Sequence, residues 1–131
     1  MNNSLDIRKT IQSEFRQYEE AFAQSLQSDN ALLRQVLDYI HSKRGKQLRP
    51  ILVLLSAALC RGVTEKTIQT AVALELMHTA SLIHDDVVDD SQLRRGFFSL
   101  NAIWKNKIAV LVGDYLLSKT LIISTKNKDF D

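Results

Sequence analysis

One proline and four glycines are all the punctuation that 131 residues carry, too little for a chain of strands and tight turns. One cysteine, Cys60, rules out a disulfide framework within the chain; set in the apolar run PILVLLSAALC, it reads as a buried thiol in a reducing compartment. Charge of one sign is scarce too. Seventeen basic against 15 acidic residues leave a net +2, which argues against a nucleic-acid partner and leaves anion binding to a local cluster. The N-terminus MNNSLDIRKTIQSEF lacks an apolar core of signal-peptide type, and no uninterrupted apolar stretch approaches the roughly 18–20 residues that span a bilayer. The expectation is a cytoplasmic protein with no transmembrane segment.

What is present is helical spacing. Apolar residues at 45% and charged residues at 24% fit one soluble domain, and the apolar positions recur at steps of three and four almost throughout. Ile7, Ile11, Phe15, Tyr18, Phe22 and Leu26 form one stripe on a charged helix. After a break where Ser28, Asp29 or Asn30 can cap, a short helix turns Leu32, Leu33, Val36, Leu37 and Ile40 inward. The polar connection HSKRGKQLRP follows; Pro50 suits the first turn of the next helix, which Gly62 ends. Thr64 then caps a helix predicted to run, without Pro or Gly, to about residue 93, on the order of 40 Å. A last segment, NKIAVLVGDYLLSKTLIIST, is apolar nearly all round and is expected to be buried among other helices.

The segment HDDVVDDSQLRRG, residues 84–96, carries the chemistry. On a helix Asp85 and Asp89 share one face, and Asp86 and Asp90 the next. Like charges at that spacing cost about 0.2–0.5 kcal/mol per pair, so a counter-charge is implied. Paired carboxylates suit Mg²⁺, which takes one or two of them together with substrate phosphates. A solvated acidic face is the plain alternative. Against it, the cluster directly follows the apolar run ALELMHTASLI, and Arg94 and Arg95 come at once. An EF-hand is excluded because the alternating acids and the loop glycine are missing.

Arginine forks match phosphate oxygens, so LRRG, with Gly96 as a helix C-cap, offers a grip beside the metal; its plain alternative is complementation of a helix dipole. Lys46 and Arg49 stand where a helix N-terminus would welcome a second anion, or are surface charge. Ser81, His78, Leu74 and Ala71 run back from Asp85 at helical steps. Small residues at Ala80 and Ser81 leave space for an extended apolar ligand, or allow close helix packing. His78 is either an anion contact or a satisfied core residue.

Taken together, GKQLRP, ELMHTASLIHDDVVDD, RRG and GDYLL, in that order, resemble the N-terminal part of a trans-isoprenyl (polyprenyl) diphosphate synthase, from about Asn30 onward. The resemblance implies an all-α isoprenoid-synthase helical bundle. It also implies transfer of an allylic group from its diphosphate to isopentenyl diphosphate, with Mg²⁺ drawing off the leaving diphosphate. By position, Asp85 and Asp89 match the metal ligands, with Asp86 adjacent as a further candidate. Arg94 matches the allylic diphosphate ligand, and Lys46, Arg49, His78 and Arg95 the isopentenyl diphosphate site. Small residues at Ala80 and Ser81, beside Leu74 and Met77, imply a chain-length pocket suited to medium or long products. Two positions depart from the pattern: Phe98 replaces a usual proline, and Lys105 a usual glycine after the tryptophan. The expectation is one N-terminal portion of a single synthase domain, residues 1–131, incomplete without a second aspartate-rich motif, inactive alone, and homodimeric when whole. A regulatory subunit of a heteromeric synthase is the alternative. An HD-type phosphohydrolase is a third reading, for which only His41 and His78 are left to add ligands to the His84–Asp85 doublet.

Overall fold

The structure, a computed structural model, describes residues 9–126. Those residues form five helices, α1 (Gln12–Ser25), α2 (Ala31–Ser42), α3 (Leu48–Cys60), α4 (Glu65–Val88) and α5 (Leu100–Lys126), with a hairpin of β1 (Leu93–Arg94) and β2 (Phe97–Phe98) before the last. Helix α4 is the axis of the fold, packed against α5, α3 and α1. Ala71, Val72, Leu76, Ala80 and Ile83 are among its buried positions, and the alanines let neighbouring helices approach closely.

The helix boundaries follow local chemistry. Asn30 Oδ1 accepts from Leu33 N at 2.9 Å and starts α2. Thr64 and Thr67 exchange side-chain and backbone hydrogen bonds at the start of α4. Pro50 lies in the first turn of α3, where the N–H groups have no helical acceptor. Gly62, at φ +91°, ends that helix by donating to Ala57 O at 2.8 Å.

The stripe on α1 is the core it was expected to be, with Ile11, Tyr18, Phe22 and Leu26 buried and Phe15 packed on them; Ile7 lies outside the described residues. Each such burial is worth about 1.5–3 kcal/mol. The stripe also fixes the connection before α3. Tyr18 OH donates to Gln47 Oε1 at 2.8 Å, and Arg44 Nη1 donates to the same oxygen at 3.2 Å. Arg44 stacks over the Phe22 ring, 4.8 Å from its centroid. Gln47 is thereby held at φ +61°, between Lys46 in the loop and Arg49 in the first turn of α3.

Six expectations are corrected. Leu32 points outward, so only part of the α2 set is inside. Cys60 is exposed, because it falls in the last turn of α3, on the side turned from the core. Helix α4 ends at Val88 rather than near residue 93, since Asp89 and Asp90 are poor helix formers at the negative end of the helix dipole. Asp90 turns to φ +53°, so it does not share a helical face with Asp86.

Gly96 is not a helix C-cap. Arg95 and Gly96, at φ +53° and +84°, form the two-residue loop of the hairpin, where both central residues need positive φ. Finally, α5 is not enclosed. Ala109, Val112, Gly113 and Leu116 are buried against its neighbours, but Val110, Leu111, Leu121 and Ile122 are exposed. By length and composition α5 would also suffice to cross a membrane, because the few charged residues that interrupt its apolar runs still leave a mean hydropathy of 1.5. Its inner face is committed to α4: a Cβ on Gly113 would overlap the His84 ring, and His84 Nε2 lies 3.3 Å from Asp114 Oδ1.

Candidate functional site

Four elements converge on a cavity of about 750 Å³: the end of α2, the 43–47 loop with the start of α3, the middle of α4, and the hairpin. Lys46, Arg49, His78, Arg94 and Arg95 all line it. Lys43, Arg44 and Glu75 line it too, and the sequence reading did not single them out. The helical pitch explains the α4 wall: Glu75, His78, Thr79, Leu82 and Asp86 recur at steps of three and four.

Arg94 is held by Asp86. Its Nη2 donates to Asp86 Oδ1 at 2.7 Å and its Nε to Oδ2 at 2.9 Å, a two-point pairing of guanidinium and carboxylate. Asp86 is only 5% exposed, and the hydrogen bond to it is the leading reason that the Arg94 guanidinium is pushed above its usual pKa. Asp86 is thereby committed to an arginine. Nη1 of Arg94 makes no hydrogen bond among the described residues and remains for a ligand.

Arg95 reaches the cavity across a glycine. A Cβ on Gly45 would overlap its Nη1 and lie 2.8 Å from its Cζ, so only glycine lets the guanidinium lie along the loop. The hairpin is tied to α2 from its other side. Tyr39 OH donates to Phe98 O at 2.6 Å, and the Lys43 ammonium sits over the Phe97 ring, 4.3 Å from its centroid. Phe98, where the resemblance expected proline, is thus a strand residue bound through its carbonyl.

His78 is held below its usual pKa, first by burial and then by Arg49, Arg95 and Arg94; it stands as a neutral imidazole among cations at neutral pH. Glu75 is pushed above its usual value by burial, against the pull of Arg49, Arg44 and Arg95.

Asp85 and Asp89 lie beside this cavity rather than in its wall. They are one turn apart, Asp89 N donating to Asp85 O at 2.8 Å, and both are exposed with no cation in ion-pair range among the described residues. Two unpaired carboxylates at a helix C-terminus, where the dipole adds negative charge, attract a hard cation. No three His, Cys, Asp or Glu side chains converge into a cage among the described residues. Two carboxylates plus phosphate oxygens suit Mg²⁺, so these residues fit the ion. His41, which the HD-type reading needs as a further ligand, sits on α2 with its ring stacked against that of Phe22.

The residues expected to form a chain-length pocket are divided. Ala80 is fully buried in the core, while Met77 and Ser81 are exposed and Leu74 half-buried on the adjoining face of α4. Ser81 Oγ donates back to Met77 O at 3.0 Å, so its hydroxyl stays against the helix.

An all-α bundle in which a basic cavity borders a carboxylate-bearing helix end defines the class of protein. Residues 30–131 match the profile of the polyprenyl synthetase family, and the chain belongs to it. It is 39% identical over 95% of its length to an all-trans-nonaprenyl-diphosphate synthase (geranyl-diphosphate specific) of Rhodobacter capsulatus, covering 41% of that protein. It is 42% identical over 79% of its length to heptaprenyl diphosphate synthase component 2 of Geobacillus stearothermophilus, covering 32% of that one. The polyprenyl synthase of Caulobacter crescentus CB15, solved with calcium and isoprenyl diphosphate, superposes with a TM-score of 0.88 at 30% identity over 96% of this chain and 38% of its own. The expected isoprenoid-synthase helical fold is thus the fold found. The chain spans less than half the length of these relatives.

Proposed function

We propose that the chain forms the N-terminal part of the active site of a cytoplasmic trans-prenyltransferase, which adds isopentenyl diphosphate to an allylic diphosphate and makes a medium or long product. The observation that carries the reading is the convergence of Lys46, Arg49, His78, Arg94 and Arg95 on one cavity beside the unpaired Asp85 and Asp89. Lys46, Arg49, His78 and Arg95 bind isopentenyl diphosphate. Arg94, its Nε and Nη2 occupied by Asp86, offers Nη1 to the allylic diphosphate. Asp85 and Asp89 hold Mg²⁺, whose positive charge, when bound, draws electron density from the leaving diphosphate. Asp86, committed to Arg94, acts on that site only by fixing the arginine.

Guanidinium forks gather the charged end of each substrate, and neutral His78 donates or accepts a hydrogen bond without adding charge. The apolar face of α4 with Leu74, Met77 and Ser81 keeps water from the growing chain. The small side chain of Ser81 leaves that path open, while Ala80 acts only through the close packing of helices around it. Residues 1–131 belong to one synthase domain, whose remaining metal ligands lie in further chain, and the apolar outer side of α5 meets a second copy.

The test is incubation of these residues, alone and within their extended reading frame, with Mg²⁺, a short allylic diphosphate and isopentenyl diphosphate, followed by sizing of the products. Prenyl products from the extended chain and none from residues 1–131 are expected; absence of product from both overturns the enzymatic reading. The name of the Geobacillus relative, a synthase component, favours one second reading, a subunit of a heteromeric synthase. Turnover that appears only on mixing with a different chain assigns that role instead.

A further inference from the structure

Glu75 has no part in the chemistry so far, yet it is 8% exposed, lines the basic cavity, and leaves Oε2 buried without a hydrogen-bond partner. An unpartnered buried carboxyl group costs the fold free energy, so its presence calls for a reason. The balance of charge around it supplies one. Six cationic residues line the cavity, Lys43, Arg44, Lys46, Arg49, Arg94 and Arg95, against two carboxylates, Glu75 and Asp86. Asp86 is taken by Arg94, and Arg44 has Glu19 at 3.6 Å. Glu75 is the remaining carboxylate of the wall it shares with Arg49, Arg44 and Arg95, whose charges act on it from beyond ion-pair distance among the described residues.

Arg49 comes from α3 and Arg95 from the hairpin loop, and both side chains are exposed. Two guanidiniums on separate elements repel, and each has several free rotations that a bound anion must freeze. We propose that Glu75 is a positioning residue: its carboxylate, fixed on α4, is the counter-charge that keeps the guanidiniums of Arg49 and Arg95 turned into the cavity as one diphosphate-binding set. The inference rests on the diphosphate-binding role proposed above. It also reverses the sign that simple electrostatics gives. A carboxylate near a diphosphate repels it, so neutralising Glu75 should tighten binding if charge alone mattered. If Glu75 holds the arginines in place, its neutralisation loosens binding.

The experiment compares the chain with Glu75→Gln and Glu75→Asp, measuring affinity for inorganic diphosphate by calorimetry and the thermal midpoint at pH 8. Glu75→Gln is expected to bind roughly 5-fold more weakly or worse, the order that freezing two arginine side chains implies. Its midpoint should be equal or higher, because the amide sheds a buried charge, and Glu75→Asp should bind between the two. Equal or tighter binding by Glu75→Gln, or weaker binding with a lowered midpoint, overturns the positioning role and leaves the proposed function standing. Failure of the unaltered chain to bind diphosphate overturns both.

Discussion

Alanine at Gly45 probes how the basic cavity is assembled without touching a charged residue. Gly45 does not sit at positive φ, so its backbone accepts a side chain, and the obstacle is Arg95, whose Nη1 and Cζ the new Cβ would meet. An arginine head on a flexible stem moves more readily than a helix, so the fold should survive while the guanidinium leaves the cavity. A hydrogen bond to a charged group is worth about 1.5–3 kcal/mol, which converts to roughly a 10–150-fold loss in diphosphate affinity. Calorimetric titration of inorganic diphosphate into the parent, Gly45→Ala, Arg95→Ala and the double variant reads the effect directly. Both single variants should lose the same amount and the double variant no more, because both remove one interaction. Parent-like binding by Gly45→Ala, or losses that add in the double variant, would refute the argument that the glycine exists to seat Arg95.

Lys105 stands at φ +71°, ψ +165° inside α5, a region that only glycine occupies freely and that costs other residues on the order of 1–3 kcal/mol. Less the roughly 0.5–1 kcal/mol that glycine's own flexibility costs, Lys105→Gly should raise the urea midpoint; a lowered midpoint contradicts the strain. Asp86→Asn should destabilise by about 1–3 kcal/mol, below the usual 3–5 for a broken buried pair because the Arg94 side chain is 38% exposed, and an unchanged unfolding curve counts against the pairing. His78 and His41 are both held below 6.5, chiefly by burial. The unfolded chain therefore takes up their protons first, and the stability they lend above pH 6.5 is lost on acidification through their folded pKa values. Urea midpoints at pH 7.5 and 5.5 should show that fall, less of it in His78→Gln, and a rise on acidification would be inconsistent with it.

How much of this was legible in the sequence depended on whether the signal was local. Thr64 and Gly62 mark helix ends by chemistry that acts within a few residues, and both were readable, while the cap of α2 was narrowed to Ser28, Asp29 or Asn30, of which Asn30 serves. The hairpin was not, because Asp90 and Arg95 adopt positive φ, which neither residue type announces, and Gly96 reads equally well as a helix cap. Lys105 is the instructive case: the resemblance expected glycine there, and the backbone keeps a glycine conformation with a lysine on it. Glu75 was passed over as one polar letter in an apolar run, since its surroundings come from α3, the 43–47 loop and the hairpin. Cys60 and the outer side of α5 were misjudged for a related reason. Apolar composition says that a segment seeks cover, and only the packing of neighbours decides which side receives it.

The central claim is that the carboxylates of Asp85 and Asp89 carry a divalent ion to a diphosphate beside the arginine-lined cavity. Diphosphate affinity measured with and without Mg²⁺, for the parent chain and for Asp85→Ala/Asp89→Ala, tests it most directly. The account predicts that Mg²⁺ tightens binding to the parent at least tenfold, about 1.4 kcal/mol, and does nothing for the double variant. An equal Mg²⁺ effect in both proteins would contradict it.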